Sequence, residues 1–167
     1  VILAAMIAFS VVGRFVFAAI PGFKPVTAIV ILTALSFGRE AGFLVGALTA
    51  LLSNIYFGQG PWTPFQMFSW GTIGFIAGTP FIRQLLSKNR WMLIVFGLFS
   101  GVLFSLLMDI WTVISIDGMF NIKRYITVVT LSFPFMLTYA LSNVVFLLLT
   151  IKPIGDKLTR IKTKYGI

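Results

Sequence analysis

The most unusual stretch of this apolar chain covers residues 53–70 and combines neutral amides with indole rings. Its amides and indoles belong to Asn54, Gln59, Trp62, Gln66 and Trp70. Flat apolar faces beside uncharged hydrogen-bonding groups suit a large, polar ligand that contains rings. The alternative is a belt of aromatic residues at a membrane surface, which explains Trp62 well but Gln66 and Trp70 poorly.

Three charged residues are the other candidates for ligand contact. Arg14 lies six residues before the end of the first apolar run, and Asp109 lies seven residues before the end of the fifth. At helical rise these positions are roughly 9 Å and 10 Å below the outer surface. The two side chains are therefore expected either to form a salt bridge or to line a solvated cavity and hold a polar ligand. Lys24, in the first outer turn, is expected to meet a lipid headgroup or an anionic group of the ligand.

Several kinds of chemistry are excluded by residue types that the sequence lacks. It has no Cys and no His, so zinc sites of the His/Cys kind and His-based triads are excluded. It also has no G-x-x-x-x-G-K-[ST] loop for ATP. The carboxylates are Glu40 and three Asp residues, and no two are spaced for paired acid–base work. We therefore predict no catalytic residues, no metal site and no catalytic cofactor.

Composition places these residues in a membrane. Of the 167 residues, 59% are hydrophobic and 10% are charged, whereas about 25% of a soluble domain is charged. The mean hydropathy is +1.03, and a chain of this size cannot bury so much apolar surface, so the surplus is expected to face lipid. The net charge of +9 sits in short gaps between apolar runs and in a basic tail. This distribution is typical of membrane proteins and argues against nucleic acid as a partner.

The apolar runs predict an all-α integral membrane protein that forms one domain over residues 1–167. Six transmembrane helices are predicted, over residues 1–20, 25–37, 41–57, 64–86, 91–116 and 125–151, followed by a basic cytoplasmic tail over residues 152–167. With the N-terminus inside, nine cations fall on inner segments and three on outer loops. An N-in, C-in orientation is therefore predicted. The second helix is shorter than the ~20 residues that a span needs.

Pairs of small residues recur at four-residue spacing. They are Ala4 and Ala8, Gly42 and Gly46, Gly74 and Gly78, and Gly97 and Gly101. Such pairs let helix backbones approach closely within lipid. We expect them to pack inside this chain or, for Ala4 and Ala8, to dock a second membrane protein.

Taken with these features, three stretches of the chain resemble a known family. Residues 23–29, 37–47 and 58–67 resemble the substrate-binding S component of energy-coupling factor (ECF) vitamin transporters, whose members are small, basic, six-helix chains. The likeness covers the first four predicted helices, and its most specific part is Gln59-Gly60-Pro61-Trp62-Thr63-Pro64.

The resemblance implies a function and a set of partners. It implies uptake of a vitamin from the outer face of the cytoplasmic membrane of a prokaryote, with the ligand bound by outer loops and helix ends. It implies docking on a transmembrane coupling subunit through an Ala-x-x-x-Ala pattern, which Ala4 and Ala8 match. It also implies ATP hydrolysis by two cytoplasmic ATPases and inward release of the cargo when the S component topples in the membrane.

The Trp-Thr-Pro loop resembles the branch of the family that carries cobalamin or a cobalamin precursor. Cobalamin is rich in amides and rings and carries a phosphate. Under this resemblance, the amide and indole residues contact the corrin, and Arg14 or Lys24 meets the phosphate. No His is present to replace an axial cobalt ligand. Two alternatives stay open: an S component for a different vitamin or small metabolite, and a membrane assembly protein that binds partners but no solute.

Overall fold

A computed structural model describes residues 1–166, so the final residue of the predicted tail, Ile167, lies outside the described part. Seven helices follow one another: α1 (Ile2–Val16), α2 (Val26–Phe37), α3 (Arg39–Phe57), α4 (Trp62–Gly78), α5 (Pro80–Lys88), α6 (Arg90–Asp117) and α7 (Ile122–Tyr165). This architecture agrees with the predicted all-α membrane protein, whereas the predicted count of six helices is not confirmed.

Helix α2 forms the centre of the bundle. Every residue from Val26 to Ala34 is buried, and α2 packs against each of the other six helices. A helix that is apolar around its whole circumference is stable only when neighbours cover all its sides. Gly38 then turns the chain directly into α3, with a φ of 94°. This backbone conformation is strained for any residue with a side chain, so glycine suits the position.

Glycines bring α3 and α4 into close contact. A Cβ atom added at Gly46 would lie 2.6 Å from the carbonyl carbon of Trp70, and one added at Gly42 would lie 2.7 Å from the carbonyl oxygen of Gly74. Gly101 of α6 approaches the backbone of α7 in the same way. The prediction that these glycine pairs pack within the chain is confirmed, and their spacing sets where Trp70 lies.

Three predicted helix boundaries are wrong. The first predicted helix, 1–20, ends at Val16, so Arg14 lies two residues from its end. The predicted fourth helix, 64–86, is divided at Thr79, whose ψ of 141° is extended. Pro80 follows it, and a residue before proline is pushed out of the helical region, whereas proline itself is favoured as the first residue of a helix. The predicted sixth helix, 125–151, continues to Tyr165 because the tail packs against the bundle, with Leu158 only 4% exposed.

Among residues 1–166, three helices are long and apolar enough to cross a bilayer, namely α3, α6 and α7. Helices α1 and α2 are apolar but shorter, with 15 and 12 residues. At ~1.5 Å per residue α2 is roughly 18 Å long, less than the ~30 Å of a hydrocarbon core, so the short second helix was correctly predicted. The N-in, C-in orientation stays a prediction. We call the end with loops 17–25 and 58–61 the pocket end, and the end with residues 36–38, 79–90 and 152–165 the basic end.

Candidate ligand-binding site

The site at the pocket end is built around the side chain of Asn54, which is 1% exposed near the end of α3. Its amide oxygen accepts a hydrogen bond from Arg14 Nη1 at 2.8 Å. Its amide nitrogen donates to Thr63 Oγ1 at 2.9 Å and to Gln66 Oε1 at 2.6 Å. Arg14 Nη1 also donates to Ser53 Oγ. Because a fully bonded buried network is rigid, these contacts hold α1, α3 and α4 in one arrangement.

The same network holds the loop between α3 and α4. Thr63 Oγ1 donates to Gln59 Oε1 at 2.9 Å, and Gln59 Nε2 donates to the carbonyl oxygen of Leu51 at 2.7 Å. Pro61, with a φ of −60°, leads directly into α4, which suits its fixed ring geometry. The polar residues of this segment therefore satisfy one another and keep the loop folded over the end of α3.

Trp70 lies beside the network, buried behind the two cations of the site. Its ring is 1% exposed and stacks on Phe104 of α6, with centroids 5.0 Å apart and planes 20° apart. Arg14 Cζ lies 5.3 Å from the centroid of the Trp70 ring, and Lys24 Nζ lies 5.4 Å from it. Lys24 Nζ is also 5.4 Å from the ring of Tyr139. Cation–π attraction of ~0.5–2 kcal/mol per contact holds both cations against these rings.

Lys24 is positioned through its backbone. Its N–H donates to Ser142 Oγ of α7 at 3.0 Å, and the Ser142 hydroxyl donates to the Lys24 carbonyl oxygen at 3.3 Å. Burial, together with the nearby charge of Arg14, lowers the pKa of Lys24 to about 7. The one ion pair within residues 1–166 joins Arg124 and Asp117. Neither cation of the site has a carboxylate partner, so both are available to acceptor atoms of a ligand.

A cavity of about 180 Å³ opens beside these groups. Arg14, Lys24 and Phe57 line it, and Arg14 Cζ lies 4.7 Å from the Phe57 ring. The remaining wall comes from the loop after α1, through Phe17, Ala18, Ile20, Pro21 and Gly22. The cavity offers cationic donors and aromatic faces, which suit a flat ligand with acceptor oxygens. Within residues 1–166, no three His, Cys, Asp or Glu side chains are grouped so that they hold a metal ion.

A model of one protein family matches residues 1–156, and its description is ECF-type riboflavin transporter, S component. The chain belongs to this family. Comparison with curated proteins and with solved structures gives no significant match. The resemblance to ECF S components is therefore confirmed, whereas the cobalamin branch is not supported, because the family name specifies riboflavin. The protein is a vitamin-binding membrane subunit of a prokaryotic ECF importer, a transport component and not itself an enzyme.

Six of the eight residues predicted to bind substrate lie together in this S component. Arg14 and Lys24 line the cavity, and Trp70 lies behind them, with its ring within 5.4 Å of both cations. The three amides, Asn54, Gln59 and Gln66, lie behind Arg14 and bond to the network. Their contact with a ligand stays a prediction, and in this structure they orient Arg14.

The other two predicted residues lie elsewhere. The ring of Trp62 folds against Gly60 and is 38% exposed. The expected salt bridge between Arg14 and Asp109 is wrong, because Asp109 accepts a hydrogen bond from Ser132 Oγ at 2.6 Å instead. Equal depth in the membrane does not set which helices are neighbours, and α1 packs against α2 and α3 rather than α6.

Sequence reasoning missed the aromatic walls of the site. Phe57, Phe104 and Tyr139 surround the two cations, but the sequence contains 18 Phe and 4 Tyr residues, most of them in apolar runs where lipid contact is an equally good explanation. The available signal is Tyr139, a hydroxyl-bearing residue deep in an apolar helix.

The predicted docking residues, Ala4 and Ala8, lie in the N-terminal half of α1, whereas Arg14, which lines the cavity, lies in its C-terminal half. Ala4 and Ala8 are both exposed, whereas Met6, Ile7 and Ser10 of the same helix are buried. A strip of small side chains on this helix is therefore uncovered within the chain, and its role in docking stays a prediction.

Proposed function

We propose that this S component binds riboflavin or a closely related flavin at the cavity beside Trp70. The observation that carries the proposal is the approach of Arg14 and Lys24, neither paired with a carboxylate, to one buried indole ring. A flavin has a flat three-ring system with carbonyl oxygens on its terminal ring. Aromatic faces complement the flat rings and cationic donors complement the carbonyl oxygens, and the family name supports the same ligand.

The size of the cavity favours a flavin over cobalamin. Sites for drug-sized ligands measure about 300–1,000 Å³, and this cavity measures about 180 Å³. Entry of a flavin therefore requires an outward shift of the loop that carries Ala18, Ile20 and Pro21, all of which are exposed. Cobalamin is much larger, and its entry would require α1 to separate from α3, with loss of the hydrogen bonds from Arg14 to α3.

A binding assay on the purified chain tests this proposal. Flavin fluorescence depends on the surroundings of the ring, so we expect riboflavin fluorescence to change as the protein is titrated in. Cobalamin, followed by its visible absorbance, is expected not to bind. Lys24→Met is expected to weaken riboflavin binding, whereas Lys123→Met, which removes an exposed cation of the α6–α7 turn, is expected not to.

Two outcomes contradict the proposal. If the folded chain binds cobalamin but not riboflavin, the corrinoid prediction is restored. If it binds neither these ligands nor other vitamins, while still associating with membrane partners, the assembly-protein alternative is favoured.

The partner proposal concerns the exposed strip on α1. We propose that Ala4 and Ala8 contact a transmembrane coupling subunit, and that ATP hydrolysis by two cytoplasmic ATPases on that subunit drives transport. Small side chains permit close helix contact within a bilayer, and both alanines are exposed in this chain. Membership of an ECF family supports the same partners.

A further inference from the structure

A second cavity lies at the basic end and is not part of the proposed vitamin site. It measures about 610 Å³ and is enclosed by α2, α5, α6 and α7. Its wall combines basic and apolar side chains. The cations are Arg83, Lys88, Arg90, Lys152 and Lys162, and the apolar side chains are Leu32, Leu35, Leu86, Leu93, Leu148 and Ile151.

Two of the five cations have a structural role. Arg83 donates from Nε to the carbonyl oxygen of Leu35 at 2.6 Å and from Nη2 to that of Ser36 at 2.8 Å. Lys162 Nζ donates to the Ser36 oxygen at 3.2 Å. These bonds satisfy carbonyl groups that the end of α2 leaves without helical partners, at the end where its dipole attracts cations.

The other three cations, Lys88, Arg90 and Lys152, do not form such hydrogen bonds to the end of α2. All three are exposed, and none has a carboxylate oxygen within 4.0 Å, since the one ion pair within residues 1–166 lies at Asp117. Asp156 is the single acidic residue in the wall, so five cations against one carboxylate leave a charge of +4 around the cavity. A cavity of this kind attracts a ligand with concentrated negative charge.

The position of the cavity indicates that the ligand also has an apolar part. Arg90 is the first residue of α6, whose 28 residues span roughly 42 Å at helical rise. A bilayer measures about 40–45 Å with its headgroups. If α6 crosses it, Arg90 lies at the level of the lipid headgroups. The apolar part of the wall includes Leu35, Leu148 and Ile151, which are partly exposed and can contact acyl chains.

We propose that this cavity is a binding site for an anionic phospholipid. The phosphate of the headgroup contacts Lys88, Arg90 and Lys152. The first part of the acyl chains packs on the apolar side chains of the wall. Basic pockets between membrane helices bind anionic headgroups through such combined charge and apolar contact. Inorganic phosphate lacks acyl chains and a zwitterionic lipid lacks net charge, so neither complements both the basic and the apolar side chains of the wall.

Native mass spectrometry of the purified full chain tests the site. Phosphatidylglycerol and phosphatidylcholine are titrated separately, and the affinity for the first bound lipid is measured. We expect the triple variant Lys88→Gln, Arg90→Gln, Lys152→Gln to lose about tenfold to a hundredfold in affinity for phosphatidylglycerol, as three surface cations contribute to lipid attraction. The matched control is Lys157→Gln, Arg160→Gln, Lys164→Gln, which removes the same charge from tail positions outside the cavity wall and is expected to stay within about twofold of the parent.

Several outcomes overturn the proposal. One is an equal loss in both triple variants, which would indicate general attraction of the basic chain to anionic lipid. Another is displacement of phosphatidylglycerol by inorganic phosphate, which would indicate a soluble-anion site. A third is unchanged lipid affinity in the first triple variant with loss of binding to the coupling subunit, which would indicate that an acidic protein segment occupies the cavity. If the first triple variant does not fold, Arg90→Gln against Lys164→Gln repeats the comparison.

Discussion

Replacement of Arg14 by methionine tests the polar network and the ligand site together. Methionine keeps an unbranched apolar stem but is shorter, and it removes the charge and the donors to Ser53 and Asn54. The Asn54 oxygen is then left without a donor in a residue that is 1% exposed, which costs about 1–3 kcal/mol. Loss of the cation–π contacts with Phe57 and Trp70 costs a further ~0.5–2 kcal/mol each.

The same substitution has a separate effect on binding. A hydrogen bond from a charged donor to a ligand contributes about 1.5–3 kcal/mol, which corresponds to roughly 10- to 150-fold in affinity. We therefore expect Arg14→Met to weaken riboflavin binding by about that factor. Arg14→Lys is expected to fall between the parent and Arg14→Met, because lysine keeps the charge but lacks the planar fork that reaches two acceptors.

Two measurements separate the effects. Thermal unfolding followed by tryptophan fluorescence reports the network, and riboflavin titration well below the unfolding midpoint reports the site. The matched control is Arg124→Met at the α6–α7 turn, where the side chain is 47% exposed and pairs with Asp117 at 3.0 Å. An exposed pair contributes ~0–1 kcal/mol, so this variant is expected to resemble the parent in both assays.

Either result can refute its part of the reasoning. An unfolding midpoint for Arg14→Met equal to that of the parent would show that the Asn54 network contributes nothing to stability. A destabilised variant that still binds riboflavin with parental affinity would show that Arg14 orients the bundle but does not touch the ligand.

Three further predictions concern other parts of the chain. Because the pKa of Lys24 is about 7 and its protonated form is the better donor, ligand affinity is expected to fall as pH rises through 7, and Lys24→Met is expected to remove this dependence. Gly46→Ala places a methyl group 2.6 Å from the backbone of α4 and is expected to cost about 1–3 kcal/mol in the free energy of unfolding. Gly155→Ala meets nothing within 4 Å and is expected to be neutral or stabilising. Ala4→Leu combined with Ala8→Leu is expected to leave riboflavin binding unchanged but to block uptake by cells, because the added bulk prevents close helix docking.

Each of these predictions has a contrary result. A pH-independent affinity in the parent would remove Lys24 from ligand contact. Equal unfolding free energies for the two glycine variants would contradict the close approach of α3 and α4. Normal uptake by the double leucine variant would remove docking from the exposed strip of α1.

The bounds of the second and third helices were predictable because the chain marks them. Residues 25–37 were predicted for α2 and Val26–Phe37 is observed, and the predicted 41–57 corresponds to Arg39–Phe57 in α3. Pro25, Gly38 and Gly58 punctuate these segments, and each has a local geometric reason to interrupt a helix. Local signals of this kind need no knowledge of the rest of the fold.

The missed boundaries depend on contacts between distant segments. Pro80 was visible in the sequence, but proline also occurs inside α7, at Pro134 and Pro153, without ending that helix. What differs is packing, because the segment after Pro153 buries Leu158 against the bundle. The tail was predicted from its charge alone, and the charge pattern did not reveal its buried face.

The site was predictable in its residue types and less so in its pairings. Costly polar groups within apolar helices pointed to Arg14 and the amides, and the structure brings them together. The partner of Arg14 was not predictable, because it depends on which helix lies next to α1. Lys24 was expected at least equally to meet lipid, and only the contact of its loop with Ser142 places its side chain over the rings.

Helix α7 touches both ends of the molecule. Ser142 holds the loop that carries Lys24, and Lys162 holds the last turn of α2 at Ser36. These two contacts are twenty residues apart on one continuous helix, a separation of roughly 30 Å. A tilt or axial rotation of α7 is therefore expected to move the loop that lines the proposed vitamin cavity together with the wall of the proposed lipid cavity.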